Sequence, residues 1–147
     1  MFSVIVPTMW KFKPFLDFVE DMVAHPLVGE VIIIDNNTPE KPQHRVLSHP
    51  KIKMYSFGIN IFVNPAWNLG AEEAIFDRLC FLNDDLIFDL KVLYRLLPHI
   101  SPIRGVFGIS PGVKDTDQIP VTTGEINISH SPTMYNYRTH LGFGMLM

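Results

Sequence analysis

The stretch EVIIID, residues 30–35, decides the fold. A strand buried on one face alternates apolar and polar residues, whereas an unbroken β-branched run such as Val31 to Ile34 reads as a strand covered on both faces, as in a parallel sheet. Asp35 closes the run. Working backwards, Gly29 marks a turn, and Pro26 disfavours helical geometry at His25, so any preceding helix ends there. Phe15, Phe18, Val19, Met22 and Val23 recur at helical spacing and form one apolar face, with Pro14 suited to the first turn. Before that helix stands FSVIV, residues 2–6, a second β-branched run closed by Pro7 and Thr8. Strand, helix and strand in this order make a βαβ unit with parallel pairing and a right-handed crossover.

Working forwards, the polar loop NNTPEKPQ (36–43) and the short segment HRVLSH (44–49) lead to IKMY (52–55), a predicted third strand. AWNLGAEEAIFDRL (66–79), with Pro65 near its start, predicts a helix, and residues 80–82 a fourth strand. Asp89 reads as the N-cap of a helix over KVLYRLL (91–97), in which Leu90, Leu93 and Leu97 share a face, and GVFGIS (105–110) as a fifth strand. The expectation is one α/β domain, a mostly parallel, doubly wound sheet flanked by helices. The region 111–125 is a long polar stretch of the kind that forms functional loops, while INISH (126–130) and LGFGMLM (141–147) read as short strands. Because the sequence stops inside an apolar run, a C-terminally truncated fold is expected.

Composition narrows the partners. The chain has 147 residues, 47% hydrophobic and 18% charged, which is globular rather than disordered. A net charge of −3 and the lack of a basic stripe with interleaved aromatics argue against nucleic acid. Cys80 is the only cysteine, so no intrachain disulfide forms. The N-terminus lacks the basic head and cleavage site of a signal peptide, and no apolar run reaches the roughly 18 residues of a membrane span. A cytoplasmic protein without a membrane span is expected. The six histidines show no zinc-ligand spacing, and there is no G-x-S-x-G elbow, phosphate-binding P-loop or G-x-G-x-x-G turn.

In an open parallel sheet, ligands bind beyond the carboxyl ends of the strands. Those ends carry Pro7-Thr8, Asp35-Asn36-Asn37, Ser56-Phe57-Gly58 and Asn83-Asp84-Asp85. Any one such corner is ordinary turn chemistry, because Asp and Asn side chains bond the backbone that follows them. Several carboxylates on one edge repel each other unless a cation or many donors lie between them. Mg²⁺ or Mn²⁺ with a nucleotide diphosphate meets that need with hard oxygen ligands.

SVIVPT, VIIIDNN, NPAWNLGAEEA (64–74) and FLNDDLIF (81–88) together resemble the nucleotide-sugar-binding half of a family-2-type glycosyltransferase with the GT-A fold. The resemblance divides the chain into a nucleotide-binding half (1–90) and a partial acceptor-side half (91–147). It implies a metal-dependent enzyme that takes a sugar from a nucleotide diphosphate, a UDP-sugar by family habit. The hexosyl or deoxyhexosyl unit would pass with inversion to a hydroxyl of a glycan or protein-linked glycan. Domains of this kind also occur in large DNA viruses, which would place such a protein in the host cytoplasm.

Position by position, the resemblance gives Pro7 and Thr8 the shaping of the nucleotide pocket and makes Asp35 an acceptor for the base or ribose. It puts Asn68 near the base or ribose, with Gly70 allowing close approach of the backbone. The triplet NDD corresponds to the family's D-x-D motif: Asn83 in the first acidic position, Asp84 touching ribose or the metal's water, and Asp85 the metal ligand. Asn83 removes one charge from that set. Trp10 and Lys11 follow the first strand end, where an aromatic can stack on a base and an amine can meet phosphate. Tyr135, Tyr137 and Arg138 are candidates for an acceptor groove. Inversion requires a carboxylate base, which in the family follows the GFGMLM-like strand; within this chain Asp115, Asp117 and Glu125 are candidates only by being acidic in a loop. The alternative to an enzyme is a non-catalytic nucleotide-sugar-binding fragment that lacks this base.

Overall fold

The structure, a computed structural model, describes residues 1–36 and 38–100, with the backbone of 107–108 and 145–146. Strand β1 (Phe2–Thr8) runs into helix α1 (Phe15–Ala24), which returns to β2 (Val28–Asp35). A 3-10 turn at Arg45–Ser48 precedes β3 (Ile52–Ser56), and α2 (Val63–Glu73) leads to β4 (Arg78–Phe81). A short helix α3 (Val92–Leu96) follows, then β5 (Phe107–Gly108) and β6 (Met145–Leu146). The strand order is β3-β2-β1-β4-β6-β5. The first four strands are parallel, whereas β6 pairs antiparallel with both β4 and β5. Among the described residues, no helix is long and apolar enough to cross a membrane.

Burial explains why the unbroken β-branched runs became central strands. Val4, Val6, Val31 and Ile33 point to one face, where they pack with Phe15, Phe18, Val19 and Met22 of α1. Ile5, Ile32 and Ile34 point to the other, against Ala66 of α2 and Phe81. Both faces are therefore covered, as a parallel sheet requires. α1 and α2 lie on opposite faces, and the strand order reverses between β1 and β4.

The boundaries differ from expectation in two places. The second helix spans Val63–Glu73 and not 66–79. Its C-terminal continuation is pulled into the sheet: Ala74 is extended, Ile75 N donates to Glu30 Oε1 at 2.7 Å, Phe76 N donates to Ser3 Oγ at 3.2 Å, and Arg78–Phe81 pairs with β1. Tertiary hydrogen bonding thus overrides helix propensity. Asp89 is not the helix cap, since α3 begins at Val92 and Asp89 Oδ1 accepts from Lys91 N at 2.9 Å, an Asx-type turn ahead of the helix. Met145–Leu146, in the last apolar segment, joins antiparallel, which agrees with a mostly parallel sheet. The expected strand at 126–130 and the polar loop at 111–125 lie outside the described residues.

Candidate functional site

The point where the order reverses, between the carboxyl ends of β1 and β4, is where doubly wound sheets open a ligand crevice. Thr8 ends β1 there and Asn83-Asp84-Asp85 follow β4. Thr8 Oγ1 donates to Asp84 Oδ2 at 2.6 Å, and Met9 N approaches the same oxygen at 3.3 Å. Leu82 N donates to Ile5 O at 3.0 Å and so extends the β1–β4 pairing up to the triplet. Asn83 O then accepts from Leu86 N at 3.3 Å, a tight turn that leaves Asp84 half-buried and Asp85 exposed.

The neighbouring corner is built round Asp35. Its Oδ1 accepts from Trp10 Nε1 and from Thr38 N, both at 3.2 Å. Its Oδ2 accepts from Ser56 Oγ at 2.9 Å and pairs with Lys41 Nζ at 3.4 Å. The Asp35 side chain has 0% exposure, while that of Lys41 has 42%. Burial pushes the Asp35 carboxyl towards the neutral form, but the donors from Ser56, Thr38 and Lys41 outweigh it and hold the pKa below the ordinary aspartate value. Trp10 N donates in turn to Thr8 Oγ1 at 2.9 Å, so the two corners are joined. Trp10 has φ 57°, a left-handed conformation that is uncommon for a bulky residue.

Most of the expected positions come together here. Pro7, Thr8 and Trp10 belong to β1 and its exit, and Asn83, Asp84 and Asp85 to the exit of β4. Asn68 is an exposed residue of α2. Lys11 is exposed beyond β1.

Both oxygens of Asp35 are engaged by protein groups, from Trp10, Thr38, Ser56 and Lys41. Gly70 lies tightly against β1, because a Cβ there would overlap the side chain of Ile5. Sequence reasoning missed Ser56 as a partner of Asp35, and it missed Lys41; a lysine six residues after a strand-end aspartate was the available signal. Asp115, Asp117, Glu125, Tyr135, Tyr137 and Arg138 lie outside the described residues.

Among the described residues, no three His, Cys, Asp or Glu side chains gather into a metal-binding group. Asp84 and Asp85 supply oxygen donors only. That set suits Mg²⁺ or Mn²⁺ held by one or two carboxylates together with substrate phosphates, not an all-protein cage.

The chain has identifiable relatives. The sequence model described as Glycosyl transferase family 2 matches residues 3–140. No curated protein matches the chain. Among solved structures, the mannosyltransferase PcManGT from Pyrobaculum calidifontis, in complex with GDP-Man and Mn²⁺, superposes with a TM-score of 0.59 at 16% identity, over 74% of this chain and 35% of that one. TarS residues 1–349 from S. aureus superposes with a TM-score of 0.56 at 17% identity, over 80% of this chain and 38% of that one. The chain therefore spans little more than a third of either neighbour. The shared architecture is the GT-A fold, a small α/β domain with a parallel sheet flanked by helices.

Proposed function

The chain belongs to glycosyl transferase family 2, and from that premise we propose that it binds a nucleotide-diphospho-sugar at the carboxyl ends of β1, β2 and β4 and transfers the sugar to an acceptor hydroxyl. The reading is carried by one observation: Thr8 is joined to Asp84 across the point where the strand order reverses, beside the exposed Asp85. Doubly wound sheets open their ligand crevice at such a reversal, which supports the reading. Thr8, Asp84 and Asp85 at these strand ends are oxygen-rich and acidic, which suits a phosphorylated ligand only when a cation accompanies it.

In this reading Asp85 holds Mn²⁺ or Mg²⁺ together with the diphosphate, and Asp84, fixed by Thr8, faces the ribose or the metal's water. Pro7, Thr8, Trp10, Asn68 and Asn83 form the nucleotide side. The bound metal would neutralise the diphosphate as it leaves. Inverting transfer additionally needs a carboxylate to deprotonate the acceptor hydroxyl of a glycan or glycoprotein. The Mn²⁺ and GDP-Man in the PcManGT complex support a metal and a sugar nucleotide without fixing the base, so UDP-, GDP- and dTDP-sugars are all to be tried.

Calorimetric titration with these diphosphates and their sugars, each with and without Mn²⁺, tests the reading. Binding of one base, strengthened by the metal, is the expected outcome. Absence of binding throughout the panel would sink it. Where binding is found, a transfer assay separates an enzyme from a binding fragment.

A further inference from the structure

The loop between β3 and α2 is fastened to the strand-end edge on both sides. Ser56, which ends β3, donates to Asp35 Oδ2 at 2.9 Å, and Ile61 N donates to Oδ1 of the adjacent Asn36 at 3.3 Å. Asn36 is buried, and its own amide donates to Thr8 O at 2.9 Å. The loop is therefore a fixed part of the edge where the crevice lies. It nevertheless leaves Phe57, Ile59 and Phe62 exposed. From Met54 to Ala71 the chain contains no charged residue and no histidine.

Phe62 is the least economical of these residues. Its φ of 63° and ψ of 176° fall in a region that glycine alone occupies without strain. The conformation is fixed from both sides, because Phe62 N donates to Asn60 Oδ1 at 2.8 Å and Phe62 O accepts from Ala66 N at 3.3 Å. The ring offsets none of that strain: it is 71% exposed and belongs to neither apolar cluster. Folding would be served better by glycine at this position. Strain of this kind is retained where a ligand uses it.

Charge decides which part of a ligand the loop suits. Along the edge the strands run β3-β2-β1-β4, so the exits of β3 and β4 are three strand spacings apart, roughly 14 Å. The acids Asp84 and Asp85 stand at the β4 end, where a metal and phosphates are matched to them. The β3 end offers apolar and aromatic surface without charge, which matches the flat, neutral end of a nucleotide. We propose that Phe62 is a specificity-determining residue of the donor site, its ring held out by the strained loop to stack on the base. This rests on the functional reading above. A π-face accepts every base, so Phe62 sets the strength of nucleotide binding and leaves the choice of base to other groups.

The test compares wild type with Phe62→Gly and Phe62→Leu. Calorimetry gives affinities for UDP, GDP, dTDP and inorganic pyrophosphate, each with Mn²⁺, and urea unfolding gives stability. Phe62→Gly removes ring and strain together, whereas Phe62→Leu keeps the strain and the apolar bulk without the π-face. Both variants should lose about fivefold or more in affinity, in the same ratio for every nucleotide that the wild type binds, the lower end of what one base–aromatic stack contributes. Pyrophosphate affinity should not change, and the urea midpoint of Phe62→Gly should rise. A purely structural role cannot produce a variant that is more stable and binds less. Unchanged nucleotide affinity in Phe62→Gly overturns the proposal, as does full affinity in Phe62→Leu, an equal loss for pyrophosphate, or a lowered urea midpoint in Phe62→Gly. Sedimentation of the same samples covers the rival occupant: self-association that Phe62→Gly abolishes, with nucleotide affinity intact, would assign the loop to a second copy of the chain and overturn the proposal. If the wild type binds no nucleotide, the functional reading falls and this proposal with it; if it binds and the variants match it, only the proposal falls.

Discussion

Thr8 and Asp84 are 76 positions apart in the chain and 2.6 Å apart in space, hydroxyl to carboxylate. The bond ties the first strand end to the acidic turn after the fourth. Thr8→Val preserves shape and removes both this donor and the acceptor that Trp10 N uses. Bonds to charged groups contribute about 1.5–3 kcal/mol, and Asp84 retains some solvent access, so a stability loss of about 1–2 kcal/mol is expected in urea unfolding. Nucleotide affinity should fall as well, because Asp84 loses its fixed orientation.

Asp85 is exposed, so Asp85→Ala should leave stability within about 0.5 kcal/mol of wild type. Its effect belongs to the ligand. In titrations the increment that Mn²⁺ adds to nucleotide affinity should disappear, while metal-free binding stays unchanged. A variant that keeps the full Mn²⁺ increment would remove Asp85 from the metal site.

Glu30 lies at the opposite end of the sheet. Its Oε1 accepts from Ser3 Oγ at 2.5 Å and from Ile75 N at 2.7 Å, while Oε2 faces Lys53 Nζ at 2.8 Å. Burial raises its pKa, but the Ile75 amide, Lys53 and Ser3 together lower it further than burial lifts it. A depressed folded pKa means that the contribution is fully present above the unfolded value, about 4.3, and is lost as pH falls through the folded one. Thermal unfolding from pH 7 down to pH 3 should show a steep acid-side loss. Glu30→Gln should lower the melting temperature at neutral pH and flatten that slope.

Gly70→Ala tests the packing role assigned to this glycine. The added methyl meets Ile5, which is 0% exposed and cannot swing away. Overpacking of this kind costs about 1–3 kcal/mol. Denaturant unfolding should show that loss, with nucleotide affinity unaltered in the fraction that remains folded.

Phe62 runs the other way. It has φ 63° and ψ 176°, a region essentially reserved for glycine, while its side chain is 71% exposed and contributes little burial. Relief of backbone strain should outweigh the extra entropy of glycine in the unfolded chain. Phe62→Gly should therefore raise stability by about 1 kcal/mol, read as a higher urea midpoint.

The central sheet was legible because burial on both faces writes itself as uninterrupted β-branched residues, at Val4 to Val6 and at Val31 to Ile34. The end of α1 was equally plain from Pro26. The end of α2 was not, because its stop signal is Glu30, more than forty residues earlier in the chain, and no local pattern records a carboxylate that captures a distant amide. The same holds at the candidate site. Strand-end acids can be found by position, but whether such an acid faces a ligand or its own protein depends on Ser56, Lys41 and Trp10, drawn from three separate loops or strand ends. Asp35 and Asp85 look alike in sequence and differ in every neighbour.

The knot of Ser3, Glu30 and Lys53 has one more consequence. Ser3 and Thr8 sit on the same strand, separated by five residues or roughly 16 Å of extended chain. The fastening that holds the tail of α2 to the sheet is thus remote from the loops that face the crevice. Those loops can be rewritten for a different donor, by selection or in the laboratory, without loosening the anchor beneath them. A specificity library confined to residues 9–13, 56–62 and 83–85 would therefore draw on a scaffold whose integrity is secured at its far edge.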